Sequence, residues 1–84
     1  MALKRSKETL ITGILGSCVN GTCKTSIVHQ TNMNYKLAGP YLDKLISIGL
    51  LQKINGNLTI YKTTVRGRDV LRDLKRIQDE IPQL

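Results

Sequence analysis

Apolar residues recur at helical spacing near the start of the chain. Leu10, Ile11, Ile14, Leu15 and Cys18 form one stripe, which predicts a helix from about Glu8 to Ser17 with Ser6 as its N-cap. Val19-Asn20-Gly21-Thr22 breaks that pattern, and Thr22 is placed to cap a second helix over about Cys23 to Gln30, with Ile27 and Val28 inward. A polar turn, Thr31-Asn32-Met33-Asn34, carries one apolar anchor, Met33. A third helix is predicted from about Tyr35 to Ile48, with a core face of Leu37, Ala38, Tyr41, Leu42, Leu45 and Ile46 and with Gly49 ending it.

The pattern then changes period. Leu51–Ile54 and Leu58–Thr63 read as strands, with Leu58 and Ile60 alternating against Thr59 and Tyr61. Asn55-Gly56-Asn57 between them is hairpin chemistry, since Asn and Gly tolerate positive φ. Thr64 can cap a last helix from Val65 to Ile81, which Pro82 terminates. One residue disturbs the scheme. Pro40 removes a backbone donor inside the third helix, so that helix is either kinked there or begins regularly only at Pro40; the kink is the reading adopted.

Two helices joined by a short polar turn and followed by a hairpin predict a winged helix-turn-helix, mainly α with a small β-hairpin, in the order α-α-α-β-β-α. Residues 1–64 would form the winged helix-turn-helix domain and 65–84 a dimerisation helix. In that last helix Val70, Leu74, Ile77 and Ile81 follow the four-three-four spacing of a coiled-coil seam, and Leu84 continues it past Pro82. Leu71, beside the seam, is expected to turn toward the body. The other reading of this helix is a plain fourth core helix.

Charge gives this architecture a direction. Residues 1–68 hold ten Lys or Arg against Glu8 and Asp43, a balance of +8, and residues 69–84 hold three against four, a balance of −1. A basic body joined to a mixed tail suits a polyanionic partner; the plain alternative is a soluble basic surface. With 84 residues, no Trp and no Phe, the core is thin and aliphatic, so burial against a second copy would help. No stretch reaches the ~20 apolar residues of a membrane span and no signal-type apolar core follows Met1–Lys7, so a cytoplasmic, nucleoid-associated protein is expected.

Particular residues resemble a known family. Lys24-Thr25, Asn32-Met33-Asn34-Tyr35-Lys36-Leu37-Ala38, Tyr41-Leu42, Gly49-Leu50-Leu51 and Tyr61-Lys62-Thr63-Thr64 with Gly67 are similar to a group of small archaeal DNA-binding proteins. The resemblance covers roughly residues 10–77. It implies a winged helix joined to a C-terminal helix that pairs as an antiparallel coiled coil. This chain departs from the pattern in Gly39-Pro40 and in a shorter final helix.

Contacts with DNA can then be assigned by geometry. Asn34, Tyr35, Lys36 and Gly39 open the recognition helix, about 35–48, and Lys44 lies further along it; Asn and Lys suit adenine and guanine edges. Asn34 is equally suited to cap the helix. Lys24, Thr25 and Ser26 sit at a helix N-terminus able to meet phosphate. Lys53, Asn55, Asn57 and Lys62 mark the wing, about 51–63, and Arg66 opens the last helix. Such contacts give affinity without sequence information.

Other chemistries are excluded in turn. His29 stands alone with two cysteines, too few ligands for a structural zinc site, so neither metal nor cofactor is expected. Cys18 and Cys23 read as small core residues, although the archaeal resemblance keeps a bond between them open. The Gly16–Thr22 loop lacks the lysine and preceding strand of a phosphate-binding loop. No Ser, His and Asp set or carboxylate pair suggests catalysis. The expected function is duplex-DNA binding as a homodimer, as a transcription regulator or a nucleoid architectural protein. A winged-helix protein-interaction module is the alternative.

Overall fold

The computed structural model describes residues Lys7–Glu80, apart from the side chains of Glu8, Gln78, Asp79 and Glu80. Ser6, Ile81, Pro82 and Leu84, named above as cap, seam and terminator, lie outside the described residues. The elements run α1 (Lys7–Ser17), α2 (Lys24–Thr31), α3 (Tyr35–Ser47), β1 (Leu51–Ile54), β2 (Ile60–Thr63) and α4 (Val65–Glu80). This is the α-α-α-β-β-α winged helix-turn-helix order read from the sequence.

One apolar cluster joins all of them. Ile14, Leu15 and Cys18 of α1 meet Ile27 of α2, Leu42 and Leu45 of α3, Leu50 and Leu51, Tyr61 of β2 and Leu71 of α4. Leu71 thus turns into the body as expected, so the first half of α4 shares the common core. Val70 is half-buried against that same cluster.

Two buried polar contacts of Thr63 lock the layers, and a third, of Thr31, lies within α2. Thr63 at the base of the wing donates its hydroxyl to the Leu15 carbonyl at 2.7 Å, and its N–H donates to the Cys18 carbonyl at 2.9 Å. Thr31 donates to the Ile27 carbonyl at 2.7 Å, and its methyl lies 3.2 Å from where a Cβ on Gly13 would stand. Among the described residues every buried side-chain N or O has a partner, as a thin core requires.

The helix ends show why the sequence breaks where it does. Asn34 caps α3, its side chain accepting from the Lys36 N–H at 2.8 Å. At the other end Gly49 takes φ +83°, Gly49 N–H donates to the Ile46 carbonyl and Leu50 N–H to the Leu45 carbonyl, a Schellman closure. Thr64 caps α4 through Gly67 N–H at 3.0 Å, while its hydroxyl donates to the Gly49 carbonyl at 2.7 Å. Helix α3 runs unbroken through Pro40, so the alternative of a loose first turn does not hold. Pro40 is exposed, which leaves water able to satisfy the carbonyl freed at Lys36.

Four local expectations need correction. Thr22 does not cap α2; its backbone pairs with Tyr61 as an isolated antiparallel bridge (3.0 and 2.7 Å), and Cys23 takes the N-cap position. Leu37 is not a core residue but 60% exposed, because the inward stripe is Ala38, Leu42 and Leu45 flanked by half-buried Tyr41 and Ile46, and Leu37 falls outside it.

The second strand begins at Ile60 rather than Leu58, and Leu58 is 66% exposed. Its buried parity is Tyr61 and Thr63, set by the pairs Leu51↔Thr63 and Lys53↔Tyr61. The connection therefore spans residues 55–59. Asn55, Gly56 and Asn57 adopt no positive φ, since a five-residue loop is built without the left-handed residues a two-residue turn demands.

Candidate nucleic-acid interface

Helix α3 divides into faces. Ala38, Leu42 and Leu45 are buried, and the opposite stripe of Lys36, Pro40, Asp43 and Ser47 is fully outward, each member exposed and separated by four, three and four residues. A third stripe looks toward α1, where Pro40, Tyr41, Lys44 and Ile48 border a shallow cleft with Lys7 and Ile11. Lys44 is therefore exposed, but on the shoulder beside α1 rather than at the centre of the outer face.

The N-terminal ends of α2 and α3 meet. The Lys24 ammonium lies 4.2 Å from the centroid of the Tyr35 ring, a cation–π contact, and 3.3 Å from where a Cβ on Gly39 would stand. Tyr35 is about half exposed, at 52%, between exposed Asn34 and Lys36. The fold thus brings half-buried Lys24 and Gly39 beside exposed Asn34, Tyr35 and Lys36 in one surface cluster, with Thr25 and Ser26 following on the first turn of α2. Pairing of Lys24 with Tyr35 joins two elements and was not readable from spacing. The opening at Gly39 is shared with the Lys24 side chain.

The remaining sequence-derived positions are spread out. Register places Lys53, opposite Tyr61, and Lys62, opposite Gln52, on different faces of the hairpin, while Asn55 and Asn57 are exposed at its tip. Arg66 is exposed in the first turn of α4, which is fastened to Gly49 at the C-terminal end of α3. It is separated from Asn34 by roughly 20 Å of helix, at ~1.5 Å per residue. Arg66 therefore belongs to the far end of the surface.

The two cysteines differ chemically, and both are free thiols. Burial pushes the Cys18 thiol up to about 12. Cys23 is held below the ordinary thiol value, chiefly by the Ser26 backbone N–H, with the Ser26 hydroxyl adding to it. A lowered pKa means more thiolate near neutral pH, so Cys23 should be alkylated by iodoacetamide well before Cys18, from a lower pH than an unshifted thiol. Mass spectrometry of the native protein across pH reads this directly. Equal labelling of the two sites would contradict the enclosure of Cys18.

Among the described residues no group of three or more His, Cys, Asp or Glu could hold a metal ion, and His29 is exposed. No helix there is long and apolar enough to cross a membrane.

An outward recognition helix, a basic cluster at its start and a hairpin wing define a winged helix-turn-helix protein. The model of that family matches residues 4–81, and the chain belongs to it. Among solved structures it is similar to Sso10a-2, a DNA-binding protein from Sulfolobus solfataricus, at 26% identity and a TM-score of 0.82, over 87% of this chain and 78% of that one. The transcriptional regulator BldR from Sulfolobus solfataricus has the same fold at 21% identity and a TM-score of 0.74, with 80% of this chain matched to 52% of that one. AF1382 from Archaeoglobus fulgidus is matched over 94% of this chain and 93% of its own, at 15% identity and a TM-score of 0.76. No curated protein sequence matches at a significant level.

Proposed function

We propose that this protein binds duplex DNA as a homodimer and acts as a transcription regulator or nucleoid architectural protein, without a catalytic role. The observation that carries the reading is the surface built where α2 and α3 meet. Lys24 of α2 reaches over Tyr35 at the start of α3, next to Lys36 on the exposed outer stripe of that helix, on a body with a balance of +8. The major groove admits an α-helix, whose N-terminal residues then lie nearest the base edges. Asn34 and Lys36 are the base-reading candidates. Lys24, Thr25, Ser26, Lys53, Asn55, Asn57, Lys62 and Arg66 would hold phosphates, with Lys44 at the edge of the contact. The likeness to Sso10a-2, a DNA-binding protein, supports the same reading.

In this reading residues 1–64 are the binding body and 65–84 the dimerisation helix, and the protein works in the cytoplasm on the nucleoid. Replacing Lys24 and Lys53 together by Ala should weaken binding to all duplexes alike. The slope of log affinity against log salt should become shallower by about two units, at ~0.9 per phosphate contact. Fluorescence anisotropy at several salt concentrations measures it. An unchanged slope would turn both lysines away from the nucleic acid and favour the protein-interaction alternative.

A further inference from the structure

The outer stripe of α3 holds one residue that a simple polyanion-binding surface does not explain. Asp43 and Glu8 are the only acids among residues 1–68, and Asp43 stands on the exposed stripe between Pro40 and Ser47. Pro40 offers no side-chain polar group, and the Ser47 hydroxyl already donates to the Lys44 carbonyl at 2.8 Å. Among the described residues no hydrogen bond or ion pair engages the Asp43 carboxylate, the ion pair found there being Arg72 with Asp69 on α4. The stripe therefore presents two charged groups, the long Lys36 donor and the short Asp43 acceptor, seven residues apart. At ~1.5 Å per residue that is about 10 Å along the helix, close to three base steps at ~3.4 Å each.

We propose that Asp43 is a specificity-determining residue, accepting a hydrogen bond from the N4 amino group of a cytosine in the major groove. The inference rests on the reading that α3 enters that groove. An ionised carboxylate only accepts. Thymine presents an acceptor there, guanine presents two, and adenine sets its N7 acceptor beside its amino group, which leaves cytosine as the matching edge. Away from a cytosine the same charge faces phosphates and groove acceptors without return, so it lowers affinity for random sequence. Lys36 in turn meets a guanine about three steps away. The paired signs give this surface discrimination that its lysines alone could not supply.

The test is selection of bound sites from a randomised duplex pool by the wild-type protein, Asp43→Ala and Asp43→Asn. Thermal melting of each variant should stay near wild type, because the residue is exposed and unpaired. The wild-type protein should select a C·G pair at one fixed position. Asp43→Ala should lose preference at that position alone, bind random duplex more tightly, and lower the ratio of selected to random affinity about tenfold or more. Asp43→Asn should shift the position toward adenine. Identical selected sequences from all three proteins would overturn the proposal. So would salt-dependent wild-type binding with no preferred base, which would leave DNA binding standing. A wild-type protein that binds no duplex would instead overturn the DNA reading, and this inference with it.

Discussion

Replacing Gly67 by alanine should destabilise the protein by about 3 kcal/mol or more, although alanine is the better helix former by ~1 kcal/mol. A Cβ at this position would run into the Leu50 carbonyl oxygen and stand 2.7 Å from the Thr63 methyl. Neither neighbour is free to move. The Leu50 carbonyl accepts from Thr64 N–H at 3.0 Å, and Thr63 is held in the core by Leu15 and Cys18. Relief requires α4 to lift from the strand junction, which withdraws Leu71 from the core. For a domain of this size the loss corresponds to a fall in Tm of about 12–24 °C.

Gly16→Ala supplies the contrast. Gly16 lies exposed on α1 with nothing near its missing Cβ, so the same change there should stabilise by about 0.5–1 kcal/mol. Urea unfolding of both variants reads the difference. A stabilised Gly67→Ala protein would show that α4 docks differently from the arrangement described.

The double change Leu74→Asp and Ile77→Asp should convert the proposed dimer into a folded monomer whose DNA binding is weakened at least tenfold. Val70 and Leu71 commit the first half of α4 to its own body, whereas Leu74 is only half-buried and Ile77 is 53% exposed. An aliphatic seam continuing beyond the point where the body ends is the pattern of a helix with a second partner. Two monomers held together double the phosphate contacts made by one bound particle, so separating them costs affinity even with both interfaces intact. Sedimentation gives the mass and circular dichroism the fold. If the unaltered protein already sediments as a monomer at high micromolar concentration, the paired-helix reading fails.

Helices and their stops were legible because each rests on local chemistry. Asn34, Gly49 and Thr64 act on backbone groups within a few residues of themselves or at the next junction, and sequence spacing reveals such signals. The wing was read less well. Its parity follows from the pairing of Leu51 with Thr63 and from the bridge between Tyr61 and Thr22, contacts that alternation within six residues does not specify.

Among the candidate site residues, Asn34, Tyr35 and Lys36 follow from the start of α3, so their cluster was foreseeable. The seating of Lys24 on Tyr35 and the distance of Arg66 from that cluster depend on how separate elements pack. Asp43 could have been found from the same helical arithmetic, since it lies seven residues after Lys36 on the outward stripe.

Binding of the wild-type protein to a random-sequence duplex, titrated from low to physiological salt, tests duplex recognition most directly. Each phosphate neutralised contributes about −0.9 to the slope of log affinity against log salt, so contacts from α2, α3 and the wing together predict a slope of about −3 or steeper. Folded protein that shows no binding, or binding with a flat salt dependence, would contradict it.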